Sequence, residues 1–219
     1  MESRKVFAYE ALVRGRSNEP AGAVFGAIPS SALHIFDRAA RIQAIGLAAS
    51  LGLDTGLSLN LLPRSLETLP DAISSTIDAA RRVGLSENKI FLEVTEGELI
   101  RDLAGFSNTI NQYRASGIHL AIDDFGSGHS GLNLLADFQP DVIKIDMHLV
   151  RDIQGHGPRQ AIVRAVIQAC EDLGIEVIAE GIETEPEYHW FKRAGVRLFQ
   201  GYLFGKPAFE ALSAPLFVA

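Results

Sequence analysis

From end to end, short apolar runs alternate with longer stretches of helical spacing, and a glycine follows almost every helical stretch. That alternation is the tightest constraint on the fold. A strand followed by a helix and another strand gives a parallel pair, because parallel neighbours need a crossover of a dozen or more residues. Seven runs have strand character: 4–13, 57–61, 90–94, 118–122, 141–146, 175–180 and 196–201. Helical spacing covers roughly 32–51, 70–83, 104–116, 130–137, 158–173 and 185–194. Gly52, Gly84, Gly117, Gly174 and Gly195 stand where five of these helices stop, as residues suited to a left-handed C-terminal cap do. Ser30 or Ser31 is placed to cap the first helix.

Two α/β architectures satisfy this pattern, a doubly wound open sheet and a (β/α) barrel. The polar residues separate them. Glu10, Asn60, Glu93, Asp123, Lys144, Glu180 and Gln200 all lie at or near the C-terminal ends of their strands. An open sheet gathers its site at one switch point, whereas a barrel brings every strand end to one rim. Seven strands each offering a polar residue therefore indicate a TIM-like barrel.

Apolar residues form 47% of the 219 residues, enough for a full core, and the length fits one domain over 1–219. No run is long enough to cross a membrane. Met1 to Lys5 leads into a strand-like pattern and not into the apolar stretch of a signal peptide. Cys170 is the only cysteine, so no internal disulfide forms, and a reducing cytoplasm is the expected setting. A net charge of −7 argues against general DNA binding.

The chemistry centres on Asp123 and Asp124, which end an apolar strand and precede Phe125-Gly126-Ser127-Gly128. Neighbouring strand residues point to opposite faces, so two acids converge only where the backbone turns, here expected at the strand end. Like charges that close need a cation between them, and oxygen-rich sites suit Mg or Mn. Glu10, Asn60, Glu93 and Asp123 supply a hard ligand set, and with Asp124 as a further acid beside it Asp123 offers a bridge to a second ion. Two ions would clamp both oxygens of a phosphoryl displacement. Lys144 is expected to hold water or charge there, and Arg14 to bind phosphate through its fork of donors. Glu180 and Glu183 aim at one site, Gln200 positions water or substrate, and Glu96 braces the 125–131 loop.

In this order the residues resemble the EAL-domain phosphodiesterases of bacterial cyclic di-GMP signalling. The matching stretches are Glu10-Ala11-Leu12-Val13-Arg14, Asn60, Glu93-Val94-Thr95-Glu96, Asp123 to Gly128, Lys144-Ile145-Asp146, Ala179 to Glu183 and Gln200 to Phe204. The resemblance implies a modified TIM barrel that linearises cyclic di-GMP to pGpG with Mg or Mn. It implies metal binding at Glu10, Asn60, Glu93, Asp123 and Asp124, and water activation by Lys144. Metal or water contacts fall to Glu180 and Glu183, support to Gln200, and substrate contacts to Leu12 and Arg14. Glu96 would hold the loop that links the site to a dimer interface, and Leu132, Leu134, Leu135 and Phe138 suit either apolar surface for that interface or ordinary core packing. A sensory domain in the parent protein also fits the family.

Four departures are visible. Ser127, His129 and Gly131 replace residues usual in that loop, and no strand leads into the Glu-Ala-Leu strand. Seven strands against the eight of a closed barrel imply a truncated chain whose barrel is open, or otherwise filled, between 4–13 and 196–200. The main rival is a non-catalytic module of the same fold that binds cyclic di-GMP or a protein. An unrelated Mg-dependent barrel acting on a carboxylate explains the acids but not Arg14 and Lys144 beside them.

Overall fold

The structure, a computed structural model, describes residues 5–95, 103–128, 135, 136 and 138–217. Its strands are β1 Ala8–Ala11, β2 Gly56–Asn60, β3 Ile90–Thr95, β4 His119–Phe125, β5 Val142–Ile145, β6 Glu176–Ala179 and β7 Leu198–Phe199. The α-helices are α1 Ala21–Gly26, α2 Leu33–Ser50, α3 Ser65–Thr68, α4 Ser74–Val83, α5 Leu103–Arg114, α6 Met147–Val150, α7 Gly157–Leu173 and α8 Glu185–Arg193. The strands pair in chain order, and every pair is parallel.

The sheet is curled. Strands four apart in a flat sheet lie about 19 Å from one another, yet Lys144 Nζ on β5 is 3.3 Å from Glu10 Oε2 on β1. Gln200 Nε2, just past β7, reaches the same Glu10 oxygen at 2.7 Å. Among the described residues no strand pairing joins β1 to β7. The barrel is open there, as the strand count implied, and side chains bridge the seam. Tyr9 Oη adds a bond of 2.9 Å to the carbonyl of Ser213 in the C-terminal segment.

Three boundaries differ from the sequence reading. The first strand covers only Ala8–Ala11 and the last only Leu198–Phe199, because each lacks a partner on its outer side. The helix expected from residue 70 starts at Ser74, after a turn running from Pro70. Most of the helix expected over 130–137 lies outside the described residues.

Strand alternation divides the interior in two. Leu57, Leu59, Leu92, Leu120, Ile122, Ile143 and Ile145 face outward and pack with Ile45 of α2, Ile77 of α4, Ile110 of α5, Val163 of α7 and Phe191 of α8. Alternate residues face the barrel axis. At its lower end Phe91, Ala121 and Val142 are buried together, with Ala8 and Ile178 against them. Phe91 fills that space only because Gly56 has no side chain; a Cβ there would stand 2.9 Å from both Ala8 Cβ and Phe91 Cε2. Buried Leu135 and Phe138 belong to the outer core. They are therefore not free apolar surface for a second copy, as the sequence reading had offered them.

A second close approach fixes the C-terminal rim. Gly201 has φ 153°, and a Cβ there would fall 2.1 Å from the carbonyl oxygen of Ile182. That backbone cannot retreat, because Ile182 N bonds Gln200 O at 3.0 Å and Leu203 N bonds Ile182 O at 3.1 Å. Gly201→Ala is expected to cost about 1–3 kcal/mol through overpacking, which lowers the melting temperature by roughly 2–12 °C in a domain of this size. Gly46→Ala, on open helix surface with nothing within 4 Å of the new Cβ, is expected to gain about 0.5–1 kcal/mol. Paired thermal melts check both signs, and an unchanged Gly201→Ala melt would rule out the close approach.

Candidate active site

The upper layer of the barrel follows from the lower one by a step of two residues along each strand. From Ala8 the step leads to Glu10, from Gly56 to Ser58 and Asn60, and from Phe91 to Glu93. From Ala121 it leads to Asp123, from Val142 to Lys144, and from Ile178 to Glu180. Small and apolar residues therefore floor the barrel, and a charged layer lies above them on the same axis-facing positions.

Lys144 stands at the centre of that layer with none of its surface exposed. Its Nζ lies 3.0 Å from Asp123 Oδ1, 3.2 Å from Glu93 Oε2, 3.3 Å from Glu10 Oε2 and 3.3 Å from Glu180 Oε2. Burial by itself would lower the lysine pKa, but Glu93, Glu10, Asp123 and Glu180 outweigh it and hold the amine well above its ordinary value. Lys144 is thus a permanent cation. One ammonium does not neutralise the surrounding acids. Burial, opposed by Lys144 and reinforced by Glu10 and Asp123, pushes Glu93 up to about 7. Glu180 rises to about 8, again mainly through burial.

Oxygens of Glu10, Glu93 and Asp123 lie within 4.8 Å of one another, a set that could hold a metal ion. Ser58 donates a short hydrogen bond to Glu93 Oε1 and fixes that carboxylate from below. Asn60 Nδ2 reaches Glu10 Oε1 at 3.3 Å, so the amide stands beside the same group. Glu180 Oε2 is buried against Lys144 Nζ, and Asp123 is the carboxylate beside it. The donors are all oxygen, and the acids exceed the one cation. A hard divalent cation fits this set.

The two aspartates converge by a different device from the one expected. β4 does not end at Ile122 but runs through both of them to Phe125. Its pairing with β5 steps from Ile122–Ile143 to Phe125–Ile145, so Asp123 and Asp124 together oppose Lys144 alone. This is a β-bulge, which re-aims a side chain without ending the strand. Asp124 takes φ 54°, a left-handed conformation that aspartate tolerates better than most residues. Burial, Asp123 and Asp146 push its carboxyl up to about 6.

The remaining residues divide. Gln200 joins the cluster through Glu10. Glu183 does not: its carboxylate pairs with Arg151 at 2.6 Å. Gly181, with φ 72°, turns the chain after Glu180, so the two acids do not aim at one site. Leu12 is exposed past the end of β1, and Arg14 Nη1 donates to its neighbour's carbonyl, Val13 O, at 2.7 Å. Both lie where the chain leaves the rim. Glu96, His129 and Gly131 lie outside the described residues. Ser58 and Asp146 were missed as site residues. Ser58 was within reach of the period-two argument, being two residues before Asn60. Asp146 caps α6 through His148 N at 2.8 Å and hydrogen-bonds with Asp124. It follows Lys144 by the same step of two.

Residues 1–207 match the family model described as EAL domain. The chain is 38% identical to the blue light- and temperature-regulated antirepressor BluF of Escherichia coli, over 93% of this chain and 51% of that protein. It is 32% identical to a cyclic di-GMP phosphodiesterase of Pseudomonas aeruginosa, over 69% of this chain and 26% of that protein. The chain thus spans about half or less of the length of these curated relatives. Among solved structures, a standalone EAL protein of Vibrio cholerae with c-di-GMP bound superposes with a TM-score of 0.92 at 43% identity, covering 97% of this chain and 90% of that one. The manganese and cy-diGMP complex of BlrP1 from Klebsiella pneumoniae superposes with a TM-score of 0.91 at 42% identity, covering 97% of this chain and 55% of that one. With its seven parallel strands curled around a carboxylate-ringed lysine, the chain belongs to the EAL domain family.

Proposed function

We propose that this domain is a phosphodiesterase that hydrolyses cyclic di-GMP to linear pGpG with two divalent ions, Mg or Mn. The observation that carries the reading is the complete rim. Glu10, Asn60, Glu93, Asp123 and Asp124 are all present as candidate ligands, and Lys144 is buried among them. Relatives named for cyclic di-GMP hydrolysis, and for binding it together with manganese, support the assignment. We take Glu10, Asn60, Glu93 and Asp123 to hold the first ion and Asp123 with Asp124 to bridge to the second. When bound, the ions would offset the excess negative charge and polarise a phosphate oxygen.

The chain's own residues divide the remaining work. The acids around Lys144 favour its charged form, which suits it to hold water or to offset the developing charge on phosphate. Glu180 is the better acceptor, because burial raises the basicity of its carboxylate. Gln200 holds Glu10 in place across the seam. Leu12 and Arg14 line the entrance, Arg14 being free to exchange its bond with Val13 O for a phosphate oxygen. Glu183 enters only if it leaves Arg151. Glu96 keeps its proposed role of bracing the loop after the aspartates.

A second reading has one specific observation behind it: the similar protein BluF is named an antirepressor. On that reading the domain binds cyclic di-GMP or a protein without cleaving the nucleotide. Incubation of purified protein with cyclic di-GMP and Mn, followed by chromatography for pGpG, separates the two. A homodimer rests on the resemblance alone, since Leu135 and Phe138 are committed to the chain's own core; light scattering at high concentration tests it. An attached sensory domain fits the shares of the relatives that this chain leaves uncovered. No described helix is long and apolar enough to cross a membrane. A cytoplasmic location is supported by the lone Cys170, buried with its thiol pushed up to about 12.

Chelation is expected to abolish turnover, Mn or Mg to restore it, and calcium to support it poorly because of its looser coordination. Glu10→Ala, Asp123→Asn and Lys144→Ala should each reduce pGpG formation at least about a hundredfold, and Lys144→Ala should still bind metal. Near-normal turnover in Lys144→Ala would remove that residue from the mechanism.

The metal-free protein should also lose stability as pH rises. Glu93 and Glu180 have pKa values raised to about 7 and about 8 in the folded chain, from an ordinary 4.5. Their contribution is full below 4.5 and is lost as pH climbs through those raised values. Glu87, Glu183 and Glu187 are held low and titrate below this window. The melting-temperature gain on adding Mn should therefore widen from pH 6 to pH 8.5; a constant gain would contradict the charge balance assigned to the site.

A further inference from the structure

Asp37 and Arg41 lie one helical turn apart on α2 and form an ion pair with only 5% and 2% of their surfaces exposed. Arg41 spends its remaining donors on the connection that follows β2. Nη1 reaches the carbonyl of Asn60 at 3.3 Å, Nη2 the carbonyl of Ala72 at 3.2 Å, and Nε the hydroxyl of Thr76 at 3.2 Å. Asp37 Oδ2 accepts from Ser65 Oγ at 3.0 Å. One guanidinium thus pins both ends of the segment 60–76, and its partner pins the middle.

The rest of this helix face faces the same segment. His34 Nδ1 is 2.6 Å from Thr68 Oγ1, and Arg38 holds Asp71 with two contacts of 2.6 and 2.7 Å. Residues 34, 37, 38 and 41 share one helical face by their spacing. Three of the four touch only the β2–α4 connection, whereas Arg41 also reaches the strand end that presents Asn60.

A buried ion pair is a poor source of stability, because desolvating two charges offsets most of their attraction. Its use here is geometric. Asn60 is the last residue of β2, its own surface is exposed, and its side chain stands beside Glu10. Beyond it only Leu61 N keeps contact with β3, at 2.8 Å from Glu93 O. The ladder to β1 ends at Leu59, so Asn60 is paired on its β3 side only, and its amide is better placed as a ligand where a further contact holds its backbone. We infer that Arg41, fixed by Asp37, is a positioning residue for the divalent-metal site, acting on the ion through Asn60. This inference rests on the metal-site reading above.

The test is direct Mn(II) binding, read by electron paramagnetic resonance on chelator-treated protein without nucleotide. Asp37→Leu combined with Arg41→Met replaces the pair by apolar side chains, which leaves no buried charge unpaired. Arg41→Lys keeps a charge opposite Asp37 but cannot reach Asn60, Ala72 and Thr76 together. Both are expected to weaken Mn binding about tenfold or more, the usual effect of removing a group that orients a ligand. Each combined with Asn60→Ala should bind no more weakly than Asn60→Ala alone, since the effect passes through that amide. Circular dichroism and thermal melts identify which variants are folded; Arg41→Lys carries the test if the apolar pair does not fold. Unaltered Mn affinity in a folded variant would overturn the inference, as would losses that multiply with Asn60→Ala. Failure of the unaltered chain to bind Mn would instead overturn the metal-site reading and the inference together.

Discussion

Everything above the floor of this barrel is arranged around a buried ammonium. A lysine with no exposed surface is tolerable only if acids surround it, and Lys144 has four within 3.3 Å. Those acids come from β1, β3, β4 and the end of β6. Holding them on one nitrogen requires the sheet to curl, so the ion cluster and the barrel shape are two views of one constraint. The cluster over-compensates its centre, which leaves negative charge to be balanced. Metal affinity and conformational stability are therefore linked in this domain.

Much of this was legible in the sequence, for reasons that can be named. Glycines at helix ends and apolar runs between them fixed the βα order, and the parallel crossover rule fixed the direction of each strand. The C-terminal ends of the strands marked Glu10, Glu93, Asp123, Lys144 and Glu180 as one rim, and the register agrees, with Asn60 opposite Glu93 and Glu10 opposite Ser58. Period two along β2 sets Ser58 on the same face as Asn60.

What escaped the sequence depends on single backbone conformations or on contacts between distant elements. The bulge at Asp123 and Asp124 is one residue in one strand, and no periodicity marks it. Glu183 follows Glu180 by three residues, a spacing that suggests convergence, but the left-handed turn at Gly181 takes it to Arg151 instead. Asp37 and Arg41 are almost fully buried, and their burial depends on contacts with the distant segment 60–76. Leu135 and Phe138 read equally as interface or core, and only the packing of the outer layer decides for core.

The seam between β1 and β7 gives Glu10 a status that the other acids lack. Glu93, Asp123 and Lys144 sit on strands paired on both sides, so their backbones are fixed by ladders on either flank. β1 is paired on one side only, and Glu10 is held instead by Lys144 at 3.3 Å, Asn60 at 3.3 Å and Gln200 at 2.7 Å. Tyr9, pointing to the opposite face from Glu10, anchors the same strand to the C-terminal segment through Ser213. Side-chain bonds hold a strand less firmly than a second ladder does, because each can exchange with water separately. Glu10 is thus the acid whose position answers most readily to what occupies the seam, while Lys144 and Glu93 stay where the barrel puts them. The side of the charged layer that lies over β1 depends on Gln200 and Tyr9, the end of β2 is held by the Arg41 clamp as well as by its ladders, and the side over β3 to β6 depends on the sheet itself.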